Sequence, residues 1–216
     1  MSTPTPTTVL ASFEEAFKEQ LMQIGRSQNI SWSFWREISN HYNDSSRLFH
    51  TLRHLDSVYS LLLEVKEEIS DWPMLMFAVA YHDIIFNPLR NNNQANSAAL
   101  AVERLYELGV NKCRIDLCEA HILATRKHDF SLNSDTNYFT DADIAIFGAD
   151  PEEYVEYYKK IREEYNIFPT VVYNPGRRKV LEHFLDMPRI FKTDYFADRF
   201  EKQARINLGM ELQELL

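Results

Sequence analysis

Apolar residues recur every three to four positions along most of this 216-residue chain, which is the spacing of helices with one buried face. The pattern predicts helices at 9–24, from Ser31 onward, and at 51–69, 71–87, 97–108, 113–125, 150–165, 177–191 and 194–216. The one candidate strand is 170–173. By composition residues 1–8 form a flexible Ser/Thr/Pro arm, and 9–216 are predicted to fold as one all-α domain of about eight to ten helices.

Three polar stretches between these helices are predicted as irregular structure. The stretch 91–94 is a polar loop before the helix at 97, and 129–140 is a lid or rim. Asn174-Pro175-Gly176 has the composition of a turn and stands before the helix at 177.

Composition and charge narrow the kind of partner. With 45% hydrophobic residues and 5 glycines the chain is typical of a globular helical protein. Its net charge of −9 disfavours a nucleic-acid polymer or an anionic membrane as the main partner and favours a small ligand. The sequence has neither a signal-peptide pattern nor an apolar run of about 18 residues, and Cys113 and Cys118 are expected to be reduced core thiols. These features predict a cytoplasmic protein and leave a homodimer open.

One apolar run, residues 74–81, ends in the polar pair His82-Asp83. Such a pair at the end of a helix is usually a cap or a surface feature. An unpaired charge at the end of a buried run would cost several kcal/mol, so partners for the pair are expected elsewhere in the chain.

Residues that could complete a metal site occur on both sides of this pair. His50 and His54 are four residues apart on one face of a predicted helix. Asp141 and Asp143 stand at the head of another apolar run, 144–147. Imidazole and carboxylate ligands together suit Mn²⁺, Fe²⁺, Zn²⁺, Co²⁺ or Ni²⁺, so one divalent transition metal is the predicted cofactor.

Four phrases of the sequence carry a resemblance to a known family. They are RLFHTLRH from Arg47, HDIIFNP from His82, DADIAIFG from Asp141, and PRIFKT with ARINL from Pro188. Together they resemble the HD-domain superfamily of metal-dependent phosphohydrolases, most closely its branch of predicted phosphohydrolases, over about 47–208. The resemblance implies an HD-type helical bundle for 9–216.

The resemblance also implies which candidates hold the metal. In that superfamily the ligand histidine stands just before a helix-continuing apolar phrase, which favours His54 over His50. The last ligand directly precedes an apolar helical run, which favours Asp143 over Asp141. The implied metal ligands are His54, His82, Asp83 and Asp143.

The activity that the resemblance implies is hydrolysis of a small phosphate ester, with a nucleotide as the favoured substrate, by a metal-activated water. Asp83 would accept the proton of the water, and Arg47 and His128 would neutralise phosphoryl charge, so these three are the predicted catalytic residues. The predicted substrate-binding residues are Arg47, His50, Asn93, Gln94 and His128.

Two other functions stay open. Similar proteins usually have Asp-Asn-Glu where this chain has Asn92-Asn93-Gln94, and an amide cannot transfer a proton as a carboxyl group does. The alternative is therefore a catalytically impaired HD-fold protein that binds a metal or ligand. A third reading is an oxidative two-metal site, which would need further ligands such as His50, His121 or His128.

Overall fold

A computed structural model of the protein describes residues 12–23 and 28–215, and the regular elements in those ranges are all helical. The helices are α1 (Phe13–Gln23), α2 (Gln28–Tyr42), α3 (Leu52–Glu64), α4 (Trp72–Tyr81), α5 (Asn93–Glu107), α6 (Lys112–Ala124), α7 (Ser134–Asp143), α8 (Pro151–Glu164), α9 (Thr170–Asp186) and α10. The last, α10, joins Asp194–Phe196, a π-helical turn Ala197–Glu201, and Lys202–Glu214. Short 3₁₀ turns, Lys66–Glu68 and Ala145–Gly148, follow α3 and α7. The predicted all-α class is confirmed.

The predicted N-terminal arm, residues 1–8, lies outside the described residues. Both ends of the helix predicted at 9–24 also lie outside them. The described part of that helix, α1, buries Phe13, Phe17 and Leu21 as the spacing predicts.

The central helix is α4, which is apolar on every side. It begins where the Asp71 carboxylate accepts a hydrogen bond from the backbone N–H of Met74 (3.3 Å). All residues from Met74 to Tyr81 are buried, as expected for a helix surrounded by others. Helices α1, α3, α5, α6 and α7 pack against it. Because α4 ends at Tyr81, it delivers His82 and Asp83 into the interior of the bundle.

The stretch 129–140, predicted to be irregular, is so only at 129–133, because α7 begins at Ser134 and most of its residues are buried. Asn133 caps this helix by accepting a hydrogen bond from the backbone N–H of Thr136 (3.0 Å). The buried Asp135 accepts hydrogen bonds from the backbone N–H groups of Ser70 and Asp71. These polar residues are buried because they bind backbone groups, which a hydrophobic pattern does not reveal.

Three helices begin earlier than predicted. The helix expected from Ser31 begins at Gln28, and α5 begins at Asn93, so that the predicted loop 91–94 is partly helical. The helix α9 begins at Thr170, which makes the candidate strand at 170–173 and the turn at 174–176 both helical. Pro175 has no N–H for the carbonyl of Val171, and Val171 is 81% exposed, so water can bind that carbonyl at little cost.

The last helix and the cysteines largely match their predictions. Phe196, Ala204 and Leu208 are buried on the inner face of α10. Cys118 is a buried free thiol, but Cys113 is exposed and is not a core residue. No helix in the described ranges has both the length and the apolar character needed to cross a membrane.

Candidate metal centre

Side chains from α3, the end of α4 and the end of α7 meet inside the bundle. The Nε2 atoms of His54 and His82 are 3.3 Å apart, and Asp143 Oδ1 lies 3.1 Å from the first and 3.4 Å from the second. One ligand-type atom of each residue lies within 4.8 Å of the other two. All three side chains are largely buried. These three residues, called the metal group below, could hold a metal ion.

The geometry and chemistry of the group fit a transition metal. Bonds from such a metal to imidazole or carboxylate are about 2.0–2.2 Å long, so two ligands of one ion lie about 3–3.5 Å apart. The separations of 3.1 and 3.4 Å from Asp143 fall in that range. His82 Nδ1 is 2.9 Å from the carbonyl oxygen of Val79, and donation to that oxygen leaves a lone pair on Nε2.

Asp83 lies beside this group. Its Oδ2 is 3.3 Å from His82 Nε2 and 3.7 Å from His50 Nε2. Its backbone N–H donates to the hydroxyl of Tyr42 (3.2 Å). The resemblance implied four ligands. Three of them, His54, His82 and Asp143, converge, and the fourth, Asp83, directs an oxygen at His82.

His128 reaches the same carboxylate from the end of α6. Its Nε2 lies 2.8 Å from Asp143 Oδ2. Its backbone φ of 56° is left-handed, a conformation that costs about 1–2 kcal/mol for a residue other than glycine. Strain of this kind is found at functional sites, and here it turns the chain so that a buried imidazole meets Asp143.

His50 is held by a residue that the sequence pattern did not single out. Glu164, at the end of α8, has its Oε2 2.7 Å from His50 Nδ1. Its other oxygen, Oε1, accepts hydrogen bonds from the backbone N–H groups of Leu48, Phe49 and His50. A buried carboxylate with four partners fixes both the His50 ring and the segment that leads into α3. His50 Nε2 is thereby directed toward Asp83.

The structure gives Arg47 a different role from the predicted one. Its guanidinium donates hydrogen bonds to the backbone carbonyls of His50 (3.2 Å), Asp83 (2.7 Å) and Ile84 (2.8 Å). Arg47 is also absent from the lining of the cavity over the metal group. The nitrogens expected to contact a phosphate are therefore occupied by carbonyls, and Arg47 joins the segment before α3 to the segment after α4.

Replacing Arg47 with alanine is expected to lower the free energy of unfolding by about 2–4 kcal/mol, because buried carbonyls lose a charged donor. Denaturant titration measures this change. Arg53→Ala, an exposed change on α3, is the matched control and should have little effect. Unchanged stability together with weaker phosphate binding in Arg47→Ala would restore the predicted contact with substrate.

The two predicted residues on α5 differ in what they can offer a ligand. Asn93 exchanges two hydrogen bonds with the backbone of Asn87, so its amide closes the turn before α5. Gln94 lines the cavity beside it and is half-buried. His121, the remaining histidine of the two-metal reading, is buried between α6 and α7, with Nδ1 2.8 Å from the hydroxyl of Thr136. It does not line the cavity.

The two aspartates at the end of α7 have separate tasks. Asp143 belongs to the metal group, whereas Asp141 accepts hydrogen bonds from the backbone N–H groups of Lys192 and Thr193 and from the Thr193 hydroxyl. The Asp141 carboxylate is therefore bound by the segment before α10. These hydrogen bonds join the end of α7 to Lys192 and Thr193, directly before α10.

Two further contacts position the turn after Asp143. Asn207 of α10 donates hydrogen bonds to the carbonyls of Phe147 and Ala149, both at 2.8 Å. A Cβ at Gly148 would lie 2.5 Å from Cβ of Phe200, so only glycine fits this approach. The DADIAIFG and ARINL phrases are thus two sides of one packed contact.

A cavity of about 610 Å³ opens over the metal group. His54, Asp83, His128 and Asp143 line its inner part. Its outer part includes the exposed side chains Arg126, Lys127 and Lys179, with one exposed acid, Asp129. None of the three cations is ion-paired among the described residues. A chain of net charge −9 therefore presents a local excess of positive charge at this opening.

Burial and charge oppose each other within the metal group. Burial alone would raise the pKa of Asp143, but the charge of His82 and hydrogen bonds from His128 and His54 hold that pKa well below its usual range. Burial lowers the pKa of His54 and of His128 by more than Asp143 raises it. The pKa of His82 is raised well above its ordinary value despite burial, because Asp83 and Asp143 are both close. The carboxylates of Asp83 and Asp143 therefore stabilise positive charge within the metal group.

Comparison of the chain with protein-family models, with curated proteins and with solved structures found no match. The class that the fold and the site define is an all-α domain with a buried His/Asp group that could hold a metal ion. Membership of the HD-domain superfamily stays a prediction from the four sequence phrases.

Proposed function

We propose that this protein is a metal-dependent phosphohydrolase that acts on a small phosphate ester. The observation that carries the proposal is the meeting of His54, His82 and Asp143 beneath a cavity with a cationic opening. Metal ligands at the base of a cavity and cations at its entrance are the two requirements for binding and activating a phosphoryl group. The resemblance to the HD-domain superfamily supports the same activity.

The cofactor we propose is one divalent transition metal, with Asp83 as the fourth ligand. The mixed nitrogen and oxygen donors suit Mn²⁺, Fe²⁺, Zn²⁺, Co²⁺ or Ni²⁺. A metal of this kind supplies Lewis-acid activation of water for attack on phosphorus. Asp83 has a carboxylate that faces both the metal group and the cavity, so it is placed to accept the proton that the attacking water loses.

The leaving group needs a proton as its bond to phosphorus breaks, and His50 is the candidate donor. Burial lowers the pKa of His50, but the hydrogen bond to Glu164 and the charge of Asp83 more than offset this, and the net shift is upward. The ring lines the cavity and is oriented by Glu164. A proton on His50 Nε2 could then pass to the leaving alcohol, which gives His50 a role beyond the predicted contact with substrate.

The entrance cations are the proposed contacts for the remaining phosphoryl oxygens, in place of Arg47. Replacing both Lys127 and Lys179 with alanine should weaken binding of inorganic phosphate by roughly 2- to 30-fold, since exposed cations contribute about 0.2–1 kcal/mol each. Calorimetric titration at two salt concentrations checks this, and the variant should also depend less on salt. Lys159→Ala, an exposed change on α8 away from this cavity, is the control. Equal phosphate affinity in the double variant and the control would place the anion elsewhere.

A catalytically impaired metal- or ligand-binding protein is the second candidate, because Gln94 lines the cavity and members of the family that the sequence phrases resemble usually have a glutamate at that position. Metal analysis of the purified protein, followed by a phosphatase screen with and without chelator, separates the two functions. Stoichiometric metal with chelator-sensitive hydrolysis supports the enzyme. Metal with no turnover on any phosphate ester supports the binding protein. Absence of metal binding overturns the metal-dependent enzyme and leaves only a protein that binds a ligand.

A further inference from the structure

A second cavity, of about 480 Å³, lies beside the one over the metal group. Its walls come from the second half of α8, the loop after it and the first half of α9. The rings of Tyr157, Tyr165, Phe168 and Tyr173 form much of the lining, together with aliphatic side chains such as Ile161 and Val180. No carboxylate is among its described lining residues. The surface that it offers is therefore largely aromatic and uncharged.

The two cavities adjoin. His50, Tyr157, Tyr165, Arg177 and Val180 line both of them. Arg177 is not free to bind an anion there, because its guanidinium forms a buried two-bond ion pair with Glu211 (2.7 and 2.8 Å). A molecule with its phosphoryl group over the metal group would thus extend past His50 toward an apolar compartment.

The aromatic wall is held in place before any ligand arrives. Arg162 donates hydrogen bonds to the backbone carbonyls of Tyr165 and Phe168, both at 3.0 Å. Its guanidinium also lies 4.6 Å from the centre of the Tyr173 ring. The Tyr165 ring is 6.4 Å from Phe168 and 6.1 Å from Tyr173, centre to centre. A preorganised wall loses little conformational entropy when a flat group packs against it.

We infer that the second cavity binds an aromatic ring carried by the alcohol part of the substrate, so that the substrate class is an aryl-bearing phosphate ester. This rests on the proposed function, which supplies the phosphoryl position. Aromatic lining favours an aromatic occupant, because ring pairs gain about 0.5–1.5 kcal/mol beyond the area they bury. The ester of a short, polar alcohol such as glycerol has no ring that could pack against the aromatic lining of the second cavity.

The test compares two non-hydrolysable probes, methylphosphonate and phenylphosphonate, by calorimetry on the full-length protein with added Mn²⁺. Both present the same kind of anion, and only the second carries a ring. Phenylphosphonate is expected to bind about tenfold more tightly, from ring burial and ring contacts together. This comparison needs no variant and no turnover.

Two glycines give a matched pair of variants. Gly176 lines the second cavity and lies within α9, and nothing lies within 4 Å of a Cβ built on it. Gly176→Leu adds a side chain at the cavity wall and should take up part of the space that a ring needs, while improving helix propensity, so the fold is expected to be kept. Gly209, in the Lys202–Glu214 segment of α10, has the same open space and lines neither cavity. Gly209→Leu is therefore the control for adding the same side chain to a helix.

The inference predicts that Gly176→Leu loses the preference for phenylphosphonate and keeps its affinity for methylphosphonate within about threefold, while Gly209→Leu keeps both. Equal binding of the two probes by the wild-type protein would overturn the aromatic site and leave the proposed function standing. A preference that survives in Gly176→Leu would also overturn it. If neither probe binds, the anion site of the proposed function fails, and the inference built on it fails too.

Discussion

His82→Ala is expected to abolish stoichiometric metal binding and to remove the part of the thermal stability that depends on metal. His82 Nε2 is the atom closest to all the other candidate ligands, within 3.4 Å of His54, Asp83 and Asp143. Removing a residue that merely supports a ligand costs about 10–100-fold in metal affinity, so loss of a ligand itself should cost more than about 100-fold. Metal content after dialysis and melting curves with and without chelator measure both effects.

The control for this prediction is another histidine that is equally buried. His121 is fully buried, as His82 is, but it lies between α6 and α7 and bonds to Thr136. His121→Ala should lower the melting temperature as any loss of buried packing does, and leave the metal content and the chelator effect unchanged. Full metal content in His82→Ala would contradict the proposed centre, whatever the melting temperature does.

The second large effect is expected in the hydrolysis rate. Asp83→Asn keeps the size of the side chain but replaces the carboxylate that we propose as proton acceptor. A general base contributes about 10²–10⁴-fold, so kcat should fall by that factor on any phosphate ester that the wild-type protein hydrolyses. Metal content should fall less than in His82→Ala, because Asp83→Asn leaves all three residues of the metal group in place. Steady-state kinetics beside metal analysis of the same sample makes the comparison.

The matched change for Asp83→Asn is Asp129→Asn. Asp129 lines the same cavity but is exposed, and it belongs to none of the contacts within the metal group. It should change kcat by less than about threefold, and removing a negative charge there should strengthen anion binding slightly. Similar loss of rate in both variants would mean that the effect reports the charge of the cavity and not proton transfer by Asp83.

Much of the fold was predictable from the sequence because helix periodicity is a local property. The inward faces of α1 and α10 and the fully apolar α4 were read from residue spacing alone. The errors at 134–140 and 174–176 have different causes. Polar residues of α7 are helical where they bind other segments, as Asp135 binds the backbone N–H of Ser70. At 174–176 the helix continues through Pro175 because the carbonyl that loses its partner, on Val171, is exposed to water.

The candidate centre was predicted in part. The residues alone left His50 or His54 and Asp141 or Asp143 open, and the family resemblance favoured His54 and Asp143, which the structure brings together with His82. Arg47 was predicted to contact substrate, whereas in the structure it binds backbone carbonyls, because a charged residue near a site can bind either backbone or ligand and sequence spacing does not distinguish the two. Glu164 carried no signal at all, since its partner His50 is 114 residues away along the chain.

The sequence by itself thus determined most of the helices apart from α7, the buried faces of those helices and the residue types available to bind a metal, because these depend on neighbours within a turn or two. Only the tertiary structure decided which atoms meet: Asp143 with the two histidines, Arg47 with three carbonyls, and Glu164 with His50. It also decided that an aromatic cavity adjoins the metal group. These pairings depend on how helices distant in sequence pack, and the direction of each polar side chain follows from that packing.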